Sequence, residues 1–334
     1  MKCIVITTIF PPTRAVRDFA KCEGWNLIVA GDRKTPADWE HQNVQFLSAS
    51  AQEERGFRLS TALPWNHYCR KMIGYLEAIS LGAEQIVDTD DDNIPKETWS
   101  FPPSEGEFET TPPDRGFINV YRAFTTMPIW PRGFPLERIQ LPEAQPTRGE
   151  RQQVRVGIWQ GLADGDPDVD AIYRLTNNEP CHFDERAPLV LGRGTWCPFN
   201  SQNTLFVREL FPLLYLPAFV TFRFTDILRG LVAQPIAWAA GYHLGFTSAT
   251  VVQERNPHDY LKDFESEIPC YLLAQRVADT VAGVVSASAS VTANLANAYD
   301  ALRAIEVVQD EELRALSAWL EDLQAEQLPR GAGD

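Results

Sequence analysis

Positive charge is in short supply in this sequence: 30 Lys and Arg stand against 45 Asp and Glu, a formal net charge of −15 over 334 residues. Binding nucleic acid through its phosphates needs a basic surface, so nucleic acid is excluded as the main partner, though a local pocket for one nucleotide is not. Long apolar runs are missing too. No stretch of about 18 uncharged apolar residues occurs, so no transmembrane segment is expected. The opening Met1 to Phe10 faintly imitates a secretory leader, but it is short, ends at Pro11-Pro12 and lacks a small-residue cleavage site. It reads as the first core strand. Paired cysteine motifs are also absent: Cys3, Cys22, Cys69, Cys181, Cys197 and Cys270 are scattered without C-x-x-C or zinc spacing. Reduced thiols in a cytoplasmic protein are the expectation.

What is present is the composition of an ordinary globular protein, 44% hydrophobic and 22% charged. Residues 1 to 100 alternate strand and helix signals, which points to an α/β fold with a mainly parallel sheet. Strands are expected at Cys3 to Phe10, Trp25 to Ala30 and Val44 to Leu47, and helices at Ala15 to Cys22 and Tyr68 to Leu81, the latter closed by Gly82. Prolines and short motifs between Pro95 and Arg151 indicate an ordered, irregular segment. Strand character returns at Val154 to Gly161 and Ala187 to Leu191. Beyond Ser266, Ala, Val, Leu and Glu dominate, with stripes such as Leu302, Ile305, Val308 and Leu313, Leu316, Leu320, Leu323 at helical spacing. Two or three amphipathic helices that cover the core or form a homo-oligomer contact fit this pattern, followed by a frayed Pro329-Arg330-Gly331 tail. The expected organisation is a domain over residues 1–265, divided into a nucleotide-binding half (1–100) and an acceptor half (101–265), with a helical extension over 266–328.

The segment Ile86-Val87-Asp88-Thr89-Asp90-Asp91-Asp92-Asn93 carries the most chemistry, an apolar strand running into four carboxylates. Like charges so close repel, and a cation relieves them. Mg²⁺ or Mn²⁺ fits, since such ions take one or two carboxylates and complete their shells with water or substrate phosphates. The implied ligand is a diphosphate, at the strand ends where α/β sheets bind ligands. A solvated acidic turn is the plainer alternative. For a nucleotide, Thr7, Thr8, Arg14, Asp32, Arg33 and Lys34 follow the first two strands, with Asp32 a candidate acceptor from uracil or ribose. Arg33, Lys34, Arg70 and Lys71 are candidate phosphate cations. Trp196, Asn200, Gln202 and Asn203 lie in a run of amides beside aromatics suited to an acceptor sugar, or to a self-satisfied turn. Asp226 stands alone in the apolar stretch Thr221 to Gly230, as a general base or as the structural partner of Arg223 or Arg229. His243 is a candidate third metal ligand, with His258, Asp259 and His182 weaker.

Gly56-Phe57-Arg58-Leu59, Leu63-Pro64-Trp65, Arg70-Lys71-Met72-Ile73-Gly74-Tyr75, Asp88-Thr89-Asp90-Asp91-Asp92, Asn200-Ser201-Gln202-Asn203-Thr204 and Phe222-Arg223-Phe224-Thr225-Asp226 resemble the plant STELLO proteins and their relatives. The likeness spans roughly residues 1 to 255 and leaves out the C-terminal helices. More distantly, the first half resembles the reversibly glycosylated polypeptides, which are UDP-arabinopyranose mutases. The resemblance implies a GT-A-like glycosyltransferase fold, a nucleotide-sugar donor with a UDP-sugar favoured, and Asp90 and Asp92 at the Asp-x-Asp metal positions. The frame Asp88-Thr89-Asp90 also fits. STELLO proteins carry an N-terminal membrane anchor with no counterpart in this sequence, so a Golgi location is not expected. The resulting expectation is a metal-dependent glycosyltransferase acting on a glycan or lipid-linked saccharide. The alternatives are a nucleotide-sugar mutase and a non-catalytic GT-A-like scaffold.

Overall fold

The computed structural model describes residues 1–255 and 258–327. Strands β1 (Lys2–Thr7), β2 (Asn26–Ala30), β3 (Val44–Leu47) and β4 (Gln85–Thr89) lie in the order β3-β2-β1-β4, all parallel. Parallel neighbours need crossovers: α1 (Arg14–Phe19) lies between β1 and β2, an irregular segment joins β2 to β3, and α2 (Ala49–Glu54), α3 (Arg58–Ala62) and α4 (Lys71–Ser80) lie between β3 and β4. Cys3 to Ile6 of β1 are fully buried, as befits a strand flanked on both sides and covered on its faces. Helix α4 approaches β1 closely: a Cβ at Gly74 would stand 2.6 Å from Val5 Cγ1. Gly82, at φ +84°, turns the chain from α4 into β4.

The second half adds β5 (Asn93–Pro95), β6 (Glu105–Thr110), β7 (Gly116–Phe117), β8 (Arg151–Gly165), β9 (Leu189–Val190), β10 (Thr195–Trp196), β11 (Asn203–Val207) and β12 (His243–Gln253). The ten-stranded order is β3-β2-β1-β4-β11-β8-β6-β9-β12-β5, and β8 also pairs with β12; β7 and β10 pair separately. Helices α5 (Ala171–Thr176) and α6 (Thr225–Ala239) complete this half. Strand β11 is antiparallel to both β4 and β8, and β12 is parallel to β8. The carboxyl ends of β1, β2, β4, β8 and β12 therefore share one edge of the sheet, where the amino end of β11 also lies.

This is an α/β, GT-A-like fold with a mixed, mainly parallel central sheet and C-terminal helices. The predicted strand at Val154 to Gly161 extends to the fifteen residues of β8. The predicted helix at Tyr68 to Leu81 opens as a 3₁₀ turn, Tyr68–Arg70, before α4. Strands β11 and β12 and helix α6 had no counterpart among the predicted elements. The segment around Asp226, read as an apolar stretch, is the first turn of α6, buried nearly all round.

Three helices follow: α7 (Tyr260–Val284), α8 (Val291–Ala304) and α9 (Asp310–Gln327). Helix α7 begins six residues before the change of composition at Ser266. Helix α9 packs on α3 and α4. Its Asp322 accepts from the backbone N–H groups of Arg58 (3.1 Å) and Leu59 (2.9 Å), its buried Trp319 donates to Pro212 O (3.1 Å), and Glu312 accepts from the amides of Ala218 (3.1 Å) and Phe219 (2.8 Å). The helices thus cover the core of the preceding fold. Leu328 and the Pro329-Arg330-Gly331 tail lie outside the described residues. Among the described residues no helix is long and apolar enough to cross a membrane, and the six cysteines form no disulfide.

Candidate active site

The shared edge opens into a cavity of about 350 Å³. Thr7, Thr8, Ile9 and Phe10 reach it from the end of β1, Asp32 from the end of β2, Asp90, Asp91 and Asp92 from the end of β4, and Asp168 from beyond β8. Ser201 and Gln202, just before β11, and Gln253 and Arg255, at the end of β12, also line it, as do Arg132, Arg223 and Asp226. The parallel order reverses between β1 and β4, so the crevice lies at the switch point where doubly wound sheets bind their ligands.

Each aspartate of the run at the end of β4 has a different environment. Asp88 points into the core, fully buried, with Lys71 Nζ at 2.9 Å and Arg229 Nη1 at 2.6 Å. Burial alone would raise its pKa, but the two cations outweigh it and hold the carboxyl below the usual range. This placement removes Asp88 as a donor to a cavity ion and leaves Asp90-Asp91-Asp92 as the frame that faces the cavity. Asp90 accepts from Lys71 at 2.7 Å, yet 37% of its side chain is exposed. Asp91 accepts from the Thr8 hydroxyl, while its carbonyl accepts from Thr13, the N-cap of α1, at 2.6 Å. Asp92 accepts from the Gln253 amide at 3.1 Å. Burial, reinforced by neighbouring carboxylates, pushes all three upward, Asp91 to about 6. Among the described residues, no three His, Cys, Asp or Glu side chains converge to cage an ion. The donor set is carboxylate oxygen, chemically suited to a hard cation that completes its shell elsewhere.

A second carboxylate group faces the same cavity with its charge compensated. Arg132 contacts Asp168 through Nε (2.8 Å) and Nη2 (2.7 Å), and its Nη2 lies 3.0 Å from both oxygens of Asp226. The partner of Asp226 is therefore Arg132; Arg223 goes to Glu267 (2.8 Å) and Arg229 to Asp88. Asp226 also accepts from the amides of Ser201 (3.2 Å) and Ile227 (3.1 Å). Burial would raise Asp168, but Arg132 and Arg223 overcome it and hold the carboxyl well down. His67, on the cavity wall beside Tyr68, is kept neutral, since burial lowers its pKa to about 4 against the pull of Asp32.

Several sequence-predicted residues lie elsewhere. Arg70 is fully buried away from the cavity, donating to Gln52 Oε1 (2.7 and 3.0 Å) and Ser60 O (2.7 Å) over the Trp65 ring at 3.7 Å, so its guanidinium holds the α2–α3 segment rather than a phosphate. Lys71 is equally buried and spends its three protons on Asp88, Asp90 and Thr89 O. Lys34 is exposed outside the cavity. Asp32 lines the cavity but accepts from the amides of Arg33 (2.6 Å), Asn66 (2.8 Å) and His67 (3.2 Å), fastening the loop beneath it. The Thr7 hydroxyl donates to Ala30 O at 2.9 Å. His243 begins β12, whereas Gln253 at the other end of that strand meets Asp92. Ten residues of strand separate them by on the order of 30 Å, which rules His243 out as a ligand of an ion at Asp92.

Of the acceptor candidates, Gln202 lines the cavity and bonds to Gln253. Asn200, just behind it, donates to Asp168 at 2.9 Å. Asn203 faces Trp99 (3.2 Å) and Thr250 (2.7 Å), and Trp196 packs on Phe117 and Trp238, so both belong to the core. Sequence reasoning missed Arg132, Asp168, Arg255, Gln253 and Tyr68. One signal was available: Ala163-Asp164-Gly165-Asp166-Pro167-Asp168 repeats the pattern of an apolar strand running into carboxylates.

An α/β fold of GT-A-like type, with aspartates at the carboxyl end of its central parallel strand, defines the class. Residues 223–328 match the family model of the STELLO glycosyltransferases. The chain is 33% identical over 271 residues to the probable glycosyltransferase STELLO2 of Arabidopsis thaliana, covering 75% of this chain and 35% of that protein. It is 33% identical over 261 residues to STELLO1 of the same plant, covering 72% and 34%. The chain therefore carries a STELLO glycosyltransferase domain, and it spans about a third of the length of the curated relatives it matches. The family match includes α7, α8 and α9, which corrects the expectation that the likeness ends near residue 255.

Proposed function

We propose that this protein transfers a sugar from a nucleoside diphosphate donor, with a UDP-sugar favoured, to a hydroxyl of a glycan or lipid-linked saccharide, using a divalent Mg²⁺ or Mn²⁺ ion. The observation that carries the reading is the trio Asp90, Asp91 and Asp92: carboxylates at the switch point of the sheet, raised by burial and facing a cavity, with Lys71 as their one direct ion-pair partner among the described residues. Asp90 and Asp92 would hold the ion, whose chemistry is to neutralise charge on the departing diphosphate. Lys71 fixes Asp90, and Thr8 fixes Asp91, so the edge is set before substrate arrives. The nucleoside would lie over Thr7, Thr8 and Asp32. In an inverting transfer the acceptor hydroxyl proton would pass to Asp226, whose carboxylate Arg132 holds in orientation.

The test is a thermal-shift screen of UDP, GDP, CDP and CMP, each with Mn²⁺ or with EDTA, on the wild type and on Asp90→Ala/Asp92→Ala. A ligand at a hundredfold excess over its Kd stabilises the native state by about 2.7 kcal/mol. The expected result is a metal-dependent shift with one nucleotide that the variant loses. No shift with any nucleotide on a folded wild type would overturn the reading.

A further inference from the structure

The cations first expected to hold phosphates are committed: Arg70 is in the core, and Lys71 already serves Asp88 and Asp90. The cavity is lined by six aspartates (Asp32, Asp90, Asp91, Asp92, Asp168, Asp226) against three arginines. A diphosphate arriving with one divalent ion still carries negative charge, so it needs a cation that the carboxylates have not taken. Arg132 does not qualify, since Asp168, Asp226 and the Arg223 carbonyl take its donors. Arg223 bonds to Glu267 through Nε (2.9 Å) and Nη2 (2.8 Å).

Arg255 differs from both. Its ion-pair partner, Asp263, lies 3.9 Å away and is shared with His258 Nδ1 at 2.9 Å. Only 7% of the Arg255 side chain is exposed, and among the described residues its buried Nε has no hydrogen-bond partner. A guanidinium so deep with an idle N–H is costly unless something else satisfies it. It also stands where the chemistry requires. It lies two residues past Gln253, whose amide contacts Asp92, and its charge acts on Asp92 and Asp168.

We propose that Arg255 is the diphosphate-binding cation of this site, donating N–H groups to phosphate oxygens of the donor while Asp90 and Asp92 hold the divalent ion. This rests on the nucleotide-sugar reading above. When the acceptor oxygen bonds to the anomeric carbon, the bond from that carbon to the phosphate oxygen breaks and its electron pair stays on the diphosphate. The hydroxyl proton goes to Asp226, and Arg255 keeps its own protons throughout, stabilising the charge on the leaving group.

The test is calorimetric titration of UDP, uridine and inorganic pyrophosphate, each with Mn²⁺, into wild type, Arg255→Ala, Arg255→Lys and Asp90→Ala/Asp92→Ala. Arg255→Ala is expected to weaken UDP and pyrophosphate by roughly ten- to a hundredfold and to leave uridine unchanged. Arg255→Lys should recover part of the loss. The melting temperature of Arg255→Ala should hold or rise, because a poorly compensated buried charge is removed. If Arg255→Ala and Arg255→Lys bind UDP and pyrophosphate as the wild type does, the proposal is overturned, and the donor reading stands wherever Asp90→Ala/Asp92→Ala loses UDP. If pyrophosphate binds the wild type and is lost in Arg255→Ala while no nucleotide binds, the anion site holds and the donor reading fails. If the wild type binds neither ligand, both fail.

Discussion

Two acidic runs leave the same edge of one sheet, and they have opposite fates. The run at the end of β8 is matched carboxylate by carboxylate: Lys96 meets Asp164 at 2.7 Å, Arg174 meets Asp166 at 2.8 Å, and Arg132 meets Asp168 at 2.7 Å. Asp170 caps α5 through the Tyr173 amide at 3.0 Å. The run after β4 has one strong cation pair, Lys71 and Arg229, concentrated on Asp88 at its inner end. Its outer members meet a shared lysine, a hydroxyl and an amide. The lesson is that a strand ending in aspartates is not by itself an ion site. What decides is whether distant parts of the chain deliver cations to it.

The largest expected effect lies in the compensated run. Arg132→Ala would strand Asp168 and Asp226 in the interior, and denaturant unfolding should show a loss of about 3–5 kcal/mol. A variant as stable as the wild type would break the contrast. Next comes Asp90→Asn/Asp92→Asn, which should change unfolding stability by less than about 1 kcal/mol, or raise it, because it relieves repulsion without orphaning a cation. The same variant should lose Mn²⁺-dependent nucleotide binding.

The two runs should also respond to pH with opposite sign. Burial pushes the Asp91 carboxyl up to about 6 from its ordinary 3.8, so the folded state holds its proton more tightly. That contribution is complete below about 4 and is lost as pH rises through about 6, with Asp90 and Asp92 acting in the same direction. Asp168, depressed to about 2, contributes fully above the usual carboxylate range and loses that contribution as pH falls. Melting curves in EDTA across pH 4 to 7, on the wild type and on Asp90→Asn/Asp92→Asn, separate the two. The substituted protein should show the flatter profile, and equal slopes would remove the proposed asymmetry. The smallest effect is expected at the partly exposed Lys96–Asp164 pair, where Lys96→Ala should cost less than about 1 kcal/mol by the same unfolding assay.

The same contrast explains how much was readable beforehand. The first four strands, α4 and the acidic run after β4 follow from alternation, helical spacing and Gly82, all of them local signals. Thr7, Thr8, Asp32 and Asp90 share an edge because parallel strands put their carboxyl ends together, which the βα alternation already implied. The arginines were not legible, because what separates Arg132, Arg223 and Arg255 from Arg70 is which of them ends in the cavity and what meets it there. Arg132 comes from the proline-rich segment, where no periodicity marks an inward-facing residue, and it meets Asp226 across 94 positions of sequence. His243 failed for a complementary reason: it lies on the right strand, at the wrong end.

The seating of α9 on α3 bears on how the chain comes into being. The amides at the start of α3 obtain their acceptor from Asp322, 264 residues later than Arg58. On a ribosome adding about 5–20 residues per second, that edge waits roughly 13 to 50 s for its cover. Until then the nascent chain presents the apolar surface that Leu316, Trp319 and Leu323 will bury. The half that carries β1 to β4, made before α9, is thus among the last parts to be finished, and any nascent-chain chaperone that attends this protein has its longest duty there.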